Sequence, residues 1–269
     1  MRRAPVRQAT TIGRVDHLLR ATARAEARHF WFRGFRRFVT PLLQEATNGL
    51  SAVRLLDCGC GTGANLDLLA KYGRAYGFDV SAVGLSIGRE SGRSRTVRAT
   101  VTAAPFAGDA FDVVTSFDVL YSLDSTDEHA AVAEMHRVTR PGGFVIVNVA
   151  AMESLRGDHS VLSHEIRRYS RQSLERLLVE RGFSIVRMTY TNAALFLPMF
   201  AVRTLQRRRG LAPEEQAQQE ITVPPAPVNG LLTAALVVES WWLRVVNNPF
   251  GSSLLCLARK PERAGTHKS

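Results

Sequence analysis

The chain has 269 residues, 45% of them hydrophobic and 8% aromatic. That composition suits an α/β unit with a sizeable core and excludes a disordered, collagen-like or disulfide-stapled chain. The net charge is +11, and all but three of the 35 basic residues are arginine, a bias of residue usage more than a sign of nucleic-acid binding. The excess is concentrated at the start, where residues 1–40 hold ten arginines against Asp16 and Glu26. Such a face suits solvent, an anionic substrate or a membrane surface.

Three cysteines (Cys58, Cys60, Cys256) make no disulfide framework, and no second Cys/His pair completes a metal site. A reducing, cytoplasmic setting fits, and no secretory signal follows the opening Met1-Arg2-Arg3. No run of 18 apolar residues is present, so no membrane span is predicted.

Residues 14–46 read as helical, with Trp31, Phe35, Phe38 and Leu42 on one stripe, closed by the turn Asn48-Gly49. The pattern then changes to strands. Residues 53–58, 74–79, 95–101, 111–117 and 144–150 read as strands, separated by helices at 63–72, 81–92 and 127–138 and by the turn Arg140-Pro-Gly-Gly143. Ser81 reads as the N-cap of its helix. A helix at 170–181, stopped by Gly182, precedes strands at 183–190 and 253–259. The expected fold class is α/β: a Rossmann-like sheet of seven strands, mostly parallel, with helices on both faces. The parts are an N-terminal helical cap (1–50), a core (51–190), an apolar helical insertion (191–252) and a last strand with a polar tail (253–269).

The strongest signal is Leu55-Leu-Asp-Cys-Gly-Cys-Gly-Thr-Gly63. A strand runs into three alternate glycines and then into a helix, so the backbone can approach a ligand and offer free N–H groups. Asp79 ends the next strand, where a carboxylate can take two bonds from a ribose diol. The spacing is G-x-G-x-G, not the dinucleotide G-x-G-x-x-G, and Asp57 stands before the first glycine. A carboxylate there repels a pyrophosphate and attracts a cation. S-adenosylmethionine, with its sulfonium and ammonium groups, fits both acids.

These residues resemble the class I S-adenosylmethionine-dependent methyltransferases, type 11-like members among them. The likeness covers roughly residues 50–190 and the strand 253–259. Ala104–Asp112, Phe117-Asp-Val-Leu120 and Val138–Gly143 are similar to that family's segments around strands four and five. The resemblance implies an antiparallel last strand. It implies that Asp57, Gly59, Gly61 and Gly63 hold the methionine part, Asp79 the ribose, and Thr100, Val101 and Thr102 the adenine side. Cys60, Val80 and Phe117 complete the expected cofactor-binding set. The segment His29–Arg37 resembles the N-terminal signature of a less characterised methyltransferase subgroup.

The acceptor is read from what frames this core. Neither an Asn/Asp-Pro-Pro-aromatic turn nor a Pro-Cys motif is present, and no RNA-binding signature appears. These absences argue against nucleic acid as partner, and the apolar segments that frame the core suit a small, apolar acceptor methylated on oxygen or carbon. The insertion is open to three roles: an acceptor lid, a membrane-interface contact through Trp241 and Trp242, or a second core layer or homodimer contact. His159, His164 and Tyr121 are the expected catalytic candidates, near the carboxyl ends of the strands, with His29 and Tyr169 behind them. Two further readings stay open: a peripheral-membrane enzyme with a lipid-linked or sugar acceptor, and a cofactor-binding protein without catalysis.

Overall fold

The computed structural model describes residue 16, residues 19–210 and residues 222–262. The arginine-rich first residues and most of the polar tail lie outside the described residues.

Seven strands form one sheet: β1 (Arg54–Cys58), β2 (Arg74–Asp79), β3 (Thr96–Arg98), β4 (Phe111–Phe117), β5 (Thr139–Ala150), β6 (Ser184–Thr191) and β7 (Ser253–Arg259). Their order is β3-β2-β1-β4-β5-β7-β6. Strands β1 to β5 pair in parallel, and β7 runs antiparallel between β5 and β6. The direction of winding reverses between β1 and β4, and ligands of open α/β sheets bind at such a point, beyond the strands' carboxyl ends.

Alternation along the strands builds two cores. Leu56, Val114, Val145, Val147 and Cys256 face one side and pack on α5 (Ser125–Val138) and α7 (Arg171–Glu180), through Val132, Met135, Leu174 and Leu178. Leu55, Val113, Ile146 and Leu257 face the other side. There they meet α2 (Phe30–Thr47), α3 (Leu66–Leu69) and α9 (Ala226–Trp242). Strands buried on both faces need apolar residues at successive positions, which explains why these segments read as continuous apolar runs.

Several boundaries differ from the sequence reading. The N-terminal helix is two pieces, α1 (residues 19–25) and α2, because the His29 side chain caps the second by accepting from Trp31 N at 3.2 Å. Helix α3 is one turn rather than 63–72, and β3 has three residues rather than seven. Strand β5 begins at Thr139, and the register against β4 shifts between Phe111 and Val113. Ser81 caps α4 (Ala82–Glu90) as expected, accepting from Gly84 N at 2.9 Å.

The insertion holds α8 (Phe196–Arg209) and α9. Helix α9 lies along α2, where Leu236 fills the space left by Gly34. Asn229 locks the pair: its Oδ1 accepts from Phe30 N at 2.9 Å and its Nδ2 donates to Arg28 O at 3.0 Å. Glu239, buried, accepts from Ala193 N, Ala194 N and Asn248 Nδ2 at 2.9, 3.0 and 3.0 Å. Helix α9 therefore contributes a layer of the core.

Candidate functional site

The glycine loop is held from below by backbone bonds. Gly59 N and Cys60 N both donate to Phe78 O at 2.9 Å. Gly59 has φ +79, and a Cβ there would stand 2.5 Å from Val119 Cγ2, so the turn after β4 rests directly on this glycine. Helix α4 approaches the loop through Gly84 and Gly88, one helical turn apart, beside the carbonyls of Gly61 and Thr62. Cys60 packs on Gly77, and burial pushes its thiol pKa up, so it is an inert apolar group.

The two acids differ in satisfaction. Asp79 Oδ2 accepts from Gly61 N and Oδ1 from Ser81 N, both at 2.8 Å. Burial still raises its pKa, against those bonds and with help from Asp16. Asp57 is fully buried, and its Oδ1 accepts from Thr115 Oγ1 at 2.6 Å. Its Oδ2 has no hydrogen-bond partner among the described residues. Burial pushes the Asp57 pKa up to about 7, opposed by the Thr115 bond and reinforced by Asp79. A buried carboxylate whose charged neighbour has the same sign is short of a cation.

The N-terminal segment lies over the loop, a contact that sequence patterning did not reveal. Leu19 touches the positions where Gly61 and Gly84 lack a Cβ, and Asp16 accepts from the Ser81 hydroxyl. Thr62 Oγ1 donates to Glu26 Oε2 at 2.8 Å, and Arg93 joins the Thr62 carbonyl to Asp67 at 3.2 and 2.7 Å. Val80 is half open, Thr100 and Thr102 share a hydroxyl contact of 3.0 Å, and Val101 packs at the edge of the core. The Phe117 ring is buried edge-on against Phe35 at 5.0 Å, which ties α2 to the end of β4.

A second polar group stands at the ends of β4 and β5. Asp118 follows β4 with φ +61, and its Oδ1 accepts from Asn148 Nδ2 at 2.9 Å. The residue keeps solvent-accessible surface, yet desolvation by the protein around it pushes its pKa up to about 7; Asn148 and Arg168 oppose the rise and Glu165 adds to it. Arg168 is bound to Glu165 at 2.8 and 3.1 Å, to Ala151 O at 2.9 Å and to Ser160 Oγ at 3.3 Å. Tyr121 is buried here, and burial with the nearby acids Asp118 and Glu165 keeps its phenol protonated. His164 lies in the following loop with φ +52. The side chain of His159 lies outside the described residues. His29 serves as the cap of α2, and Tyr169 donates to Glu128. Asp118, Asn148, Glu165 and Arg168 were absent from the expected site; the available signal was an acid directly after β4.

The residues present fit S-adenosylmethionine. Asp57 offers a buried acceptor that lacks a donor among the described residues, beneath a loop of three alternate glycines. Asp79 retains lone-pair capacity beyond its two backbone bonds. When bound, that cofactor supplies an activated methyl group.

Comparisons with known proteins agree with this geometry. Residues 56–147 match the family described as "Methyltransferase domain". The chain is 34% identical over 108 residues to a malonyl-[acyl-carrier protein] O-methyltransferase of Enterobacter lignolyticus (strain SCF1), covering 38% of this chain and 41% of that protein. It is 30% identical over 148 residues to the ubiquinone/menaquinone biosynthesis C-methyltransferase UbiE of Shewanella halifaxensis (strain HAW-EB4), covering 49% and 55%. The chain thus spans about half the length of the curated relatives it matches. Among solved structures, the [4+2]-cyclase SpnF is similar at TM-score 0.54 and 25% identity, over 84% of this chain and 81% of that one. The geranyl diphosphate C-methyltransferase of Streptomyces coelicolor A3(2), solved with S-adenosyl-L-homocysteine, shares the fold at TM-score 0.53 and 15% identity, over 82% and 77%. Residues 56–147 are thus matched by the methyltransferase domain family, and the seven-stranded sheet around them has the Rossmann-like fold of the solved methyltransferase structures.

Proposed function

We propose that the protein transfers a methyl group from S-adenosylmethionine to a small-molecule acceptor, on oxygen or carbon, in the cytoplasm. One observation carries the reading: Asp57, fully buried beneath the glycine loop, has an oxygen without a partner and no facing cation among the described residues. The ammonium and sulfonium groups of the cofactor supply the missing charge. The protein's part is to bind, orient and exclude water. Gly59, Gly61, Gly63 and Asp57 hold the methionine end, Asp79 the ribose, and Val80, Val101 and Thr102 the nucleoside side. The relatives named for quinone and acyl-carrier substrates favour a small, largely apolar acceptor. In this reading α9 and α2 wall the acceptor space, because together they reach Phe117.

Calorimetry tests the cofactor assignment. S-adenosyl-L-homocysteine is expected to bind and NAD is not; capture of NAD instead would overturn it. Turnover on a metabolite panel separates an enzyme from a protein that only binds the cofactor. The neighbour named as a [4+2]-cyclase makes that distinction worth drawing.

A second reading concerns location. No helix among the described residues is long and apolar enough to cross a membrane. Yet Leu197, Phe200, Trp241, Trp242, Val245 and Phe250 are exposed, and Phe196 stacks on Phe200 and meets Phe250 edge-on, joining α8 to the loop after α9. Arg207, Arg208, Arg209 and Arg244 flank this surface, as an anionic membrane surface would require. Co-sedimentation with phosphatidylglycerol vesicles is expected, and its loss in Trp241→Ala/Trp242→Ala. Vesicle binding unchanged by that double substitution would sink this reading.

A further inference from the structure

We infer that Asp118 and Asn148 form the subsite for a proton-bearing group of the acceptor, a hydroxyl or an amine beside the atom that is methylated. The inference rests on the methyltransferase reading and adds to it the chemistry of the acceptor.

Position comes first. Phe117 and Asn148 are register partners on β4 and β5, and Asp118 N donates to Asn148 O at 3.0 Å. Asp118 therefore stands where the sheet ends, at the carboxyl edge that binds ligands in such folds. Its left-handed backbone turns the chain so that Val119 rests against Gly59. The subsite thus adjoins the loop that holds the methionine end of the cofactor. A non-glycine residue holds this conformation only where its surroundings impose it.

Charge comes second. The groups facing Asp118 are Glu165, Arg168, Tyr121 and Asn148. Arg168 is committed to Glu165, to the Ala151 carbonyl and to Ser160. Glu165 is fixed by that pair and by Ser163 Oγ at 3.3 Å. Tyr121 is neutral. The two acids face one arginine, so an ionised Asp118 leaves the group with one negative charge in excess.

Satisfaction comes third. Asn148 is 3% exposed, and its amide spends a donor on Asp118. Its Oδ1 accepts from none of the described residues. That amide oxygen stands beside the Asp118 carboxylate, whose Oδ1 already accepts the Asn148 bond. A ligand N–H or O–H supplies the donor that the buried amide oxygen lacks; a bare hydrocarbon would leave it unpaired. Tyr121 keeps its proton, so Asp118 is the acceptor of a proton in this cluster.

The probes are S-adenosyl-L-homocysteine and sinefungin, which carries an ammonium group in the region of the transferable methyl. The wild-type protein is expected to prefer sinefungin, with the preference rising with pH through about 7 as Asp118 ionises. Asp118→Asn, which keeps the shape and tolerates the left-handed backbone, is expected to bind S-adenosyl-L-homocysteine as the wild type does. Its preference for sinefungin should fall about tenfold, the size of one lost bond to a charged group, and its pH dependence should weaken to the part that Asp57 contributes. Asn148→Ala should lower the preference by a smaller factor. A preference unchanged in Asp118→Asn, with homocysteine product still bound, overturns this subsite alone. Failure of the wild type to bind S-adenosyl-L-homocysteine takes down the methyltransferase reading and this one together.

Discussion

The carboxyl edge of the sheet has two halves built on different principles. At β1 and β2 the edge offers backbone: three glycines, N–H groups, and two acids that stand directly in their strands. At β4 and β5 it offers side chains drawn from separated segments, Asp118, Asn148, Glu165 and Arg168. The first half is a short local motif, so one stretch of sequence specifies it. The second exists only when the loop after β5 folds back on the sheet. The difference has a functional sense, since the cofactor is constant while acceptors vary, and variable chemistry belongs on loops carried by a rigid scaffold.

The sharpest way to break the first half is to fill it. Gly59→Val puts a branched side chain at φ +79, against Val119. Binding of S-adenosyl-L-homocysteine is expected to fall at least about a hundredfold, read by calorimetry, the loss of roughly 3 kcal/mol. Retained affinity would mean that the loop does not hold the cofactor. A contrasting change in the other core layer should cost stability and spare cofactor affinity. Leu236→Ala removes the side chain that fills the space over Gly34 and should cost about 2–5 kcal/mol in denaturant unfolding. If it weakened cofactor binding as much as Gly59→Val does, α9 would be part of the cofactor site.

Asp79→Ala is expected to do less, about 1–3 kcal/mol of cofactor affinity. The carboxylate also ties Gly61 N to Ser81 N, so part of the loss is loop order. Asp79→Asn separates the two contributions, because it keeps one acceptor oxygen for the loop.

How far the sequence could be read follows the same division. The alternate glycines, Asp57, Asp79 and the succession of strands and helices were legible, because glycine spacing and strand–helix alternation are local signals with few physical solutions. The break at His29 was not, since a histidine cap looks like any residue in an aromatic helix until its ring meets Trp31 N. The clasp of Asp16, Leu19 and Glu26 on the loop joins segments over 35 residues apart, and no periodicity encodes it. Asp118 lay in a segment noted for its resemblance, but its significance depends on φ +61 and on Asn148, thirty positions away. The expected lid was legible only as apolarity. That α9 spends much of it on α2 is decided by Gly34 and Asn229.

The subtlest comparison sets Asp57 against its own amide. In the free protein burial pushes its pKa up to about 7, above the ordinary carboxylate value of 3.8, and no described residue supplies a counter-ion. From about pH 4 to 7 the folded state therefore holds a proton that the unfolded state has lost. Stability falls over that window, with a slope from this group of up to about 1.4 kcal/mol per pH unit, and this contribution levels off above it. A cationic ligand prefers the ionised form, so cofactor affinity runs the opposite way, rising through about pH 7 to a plateau. Asp57→Asn keeps an oxygen for the Thr115 hydroxyl and removes the titration. It should lose the affinity rise and fall less in stability between pH 5 and 8 than the wild type, while binding the cofactor more weakly at pH 8. Asp79 and Asp118 also sit above the usual carboxylate range and remain in the variant, so the informative quantity is the difference between the two pH curves. Identical stability slopes in the two proteins would place the buried charge elsewhere. Identical affinity curves would separate Asp57 from the cofactor's cation.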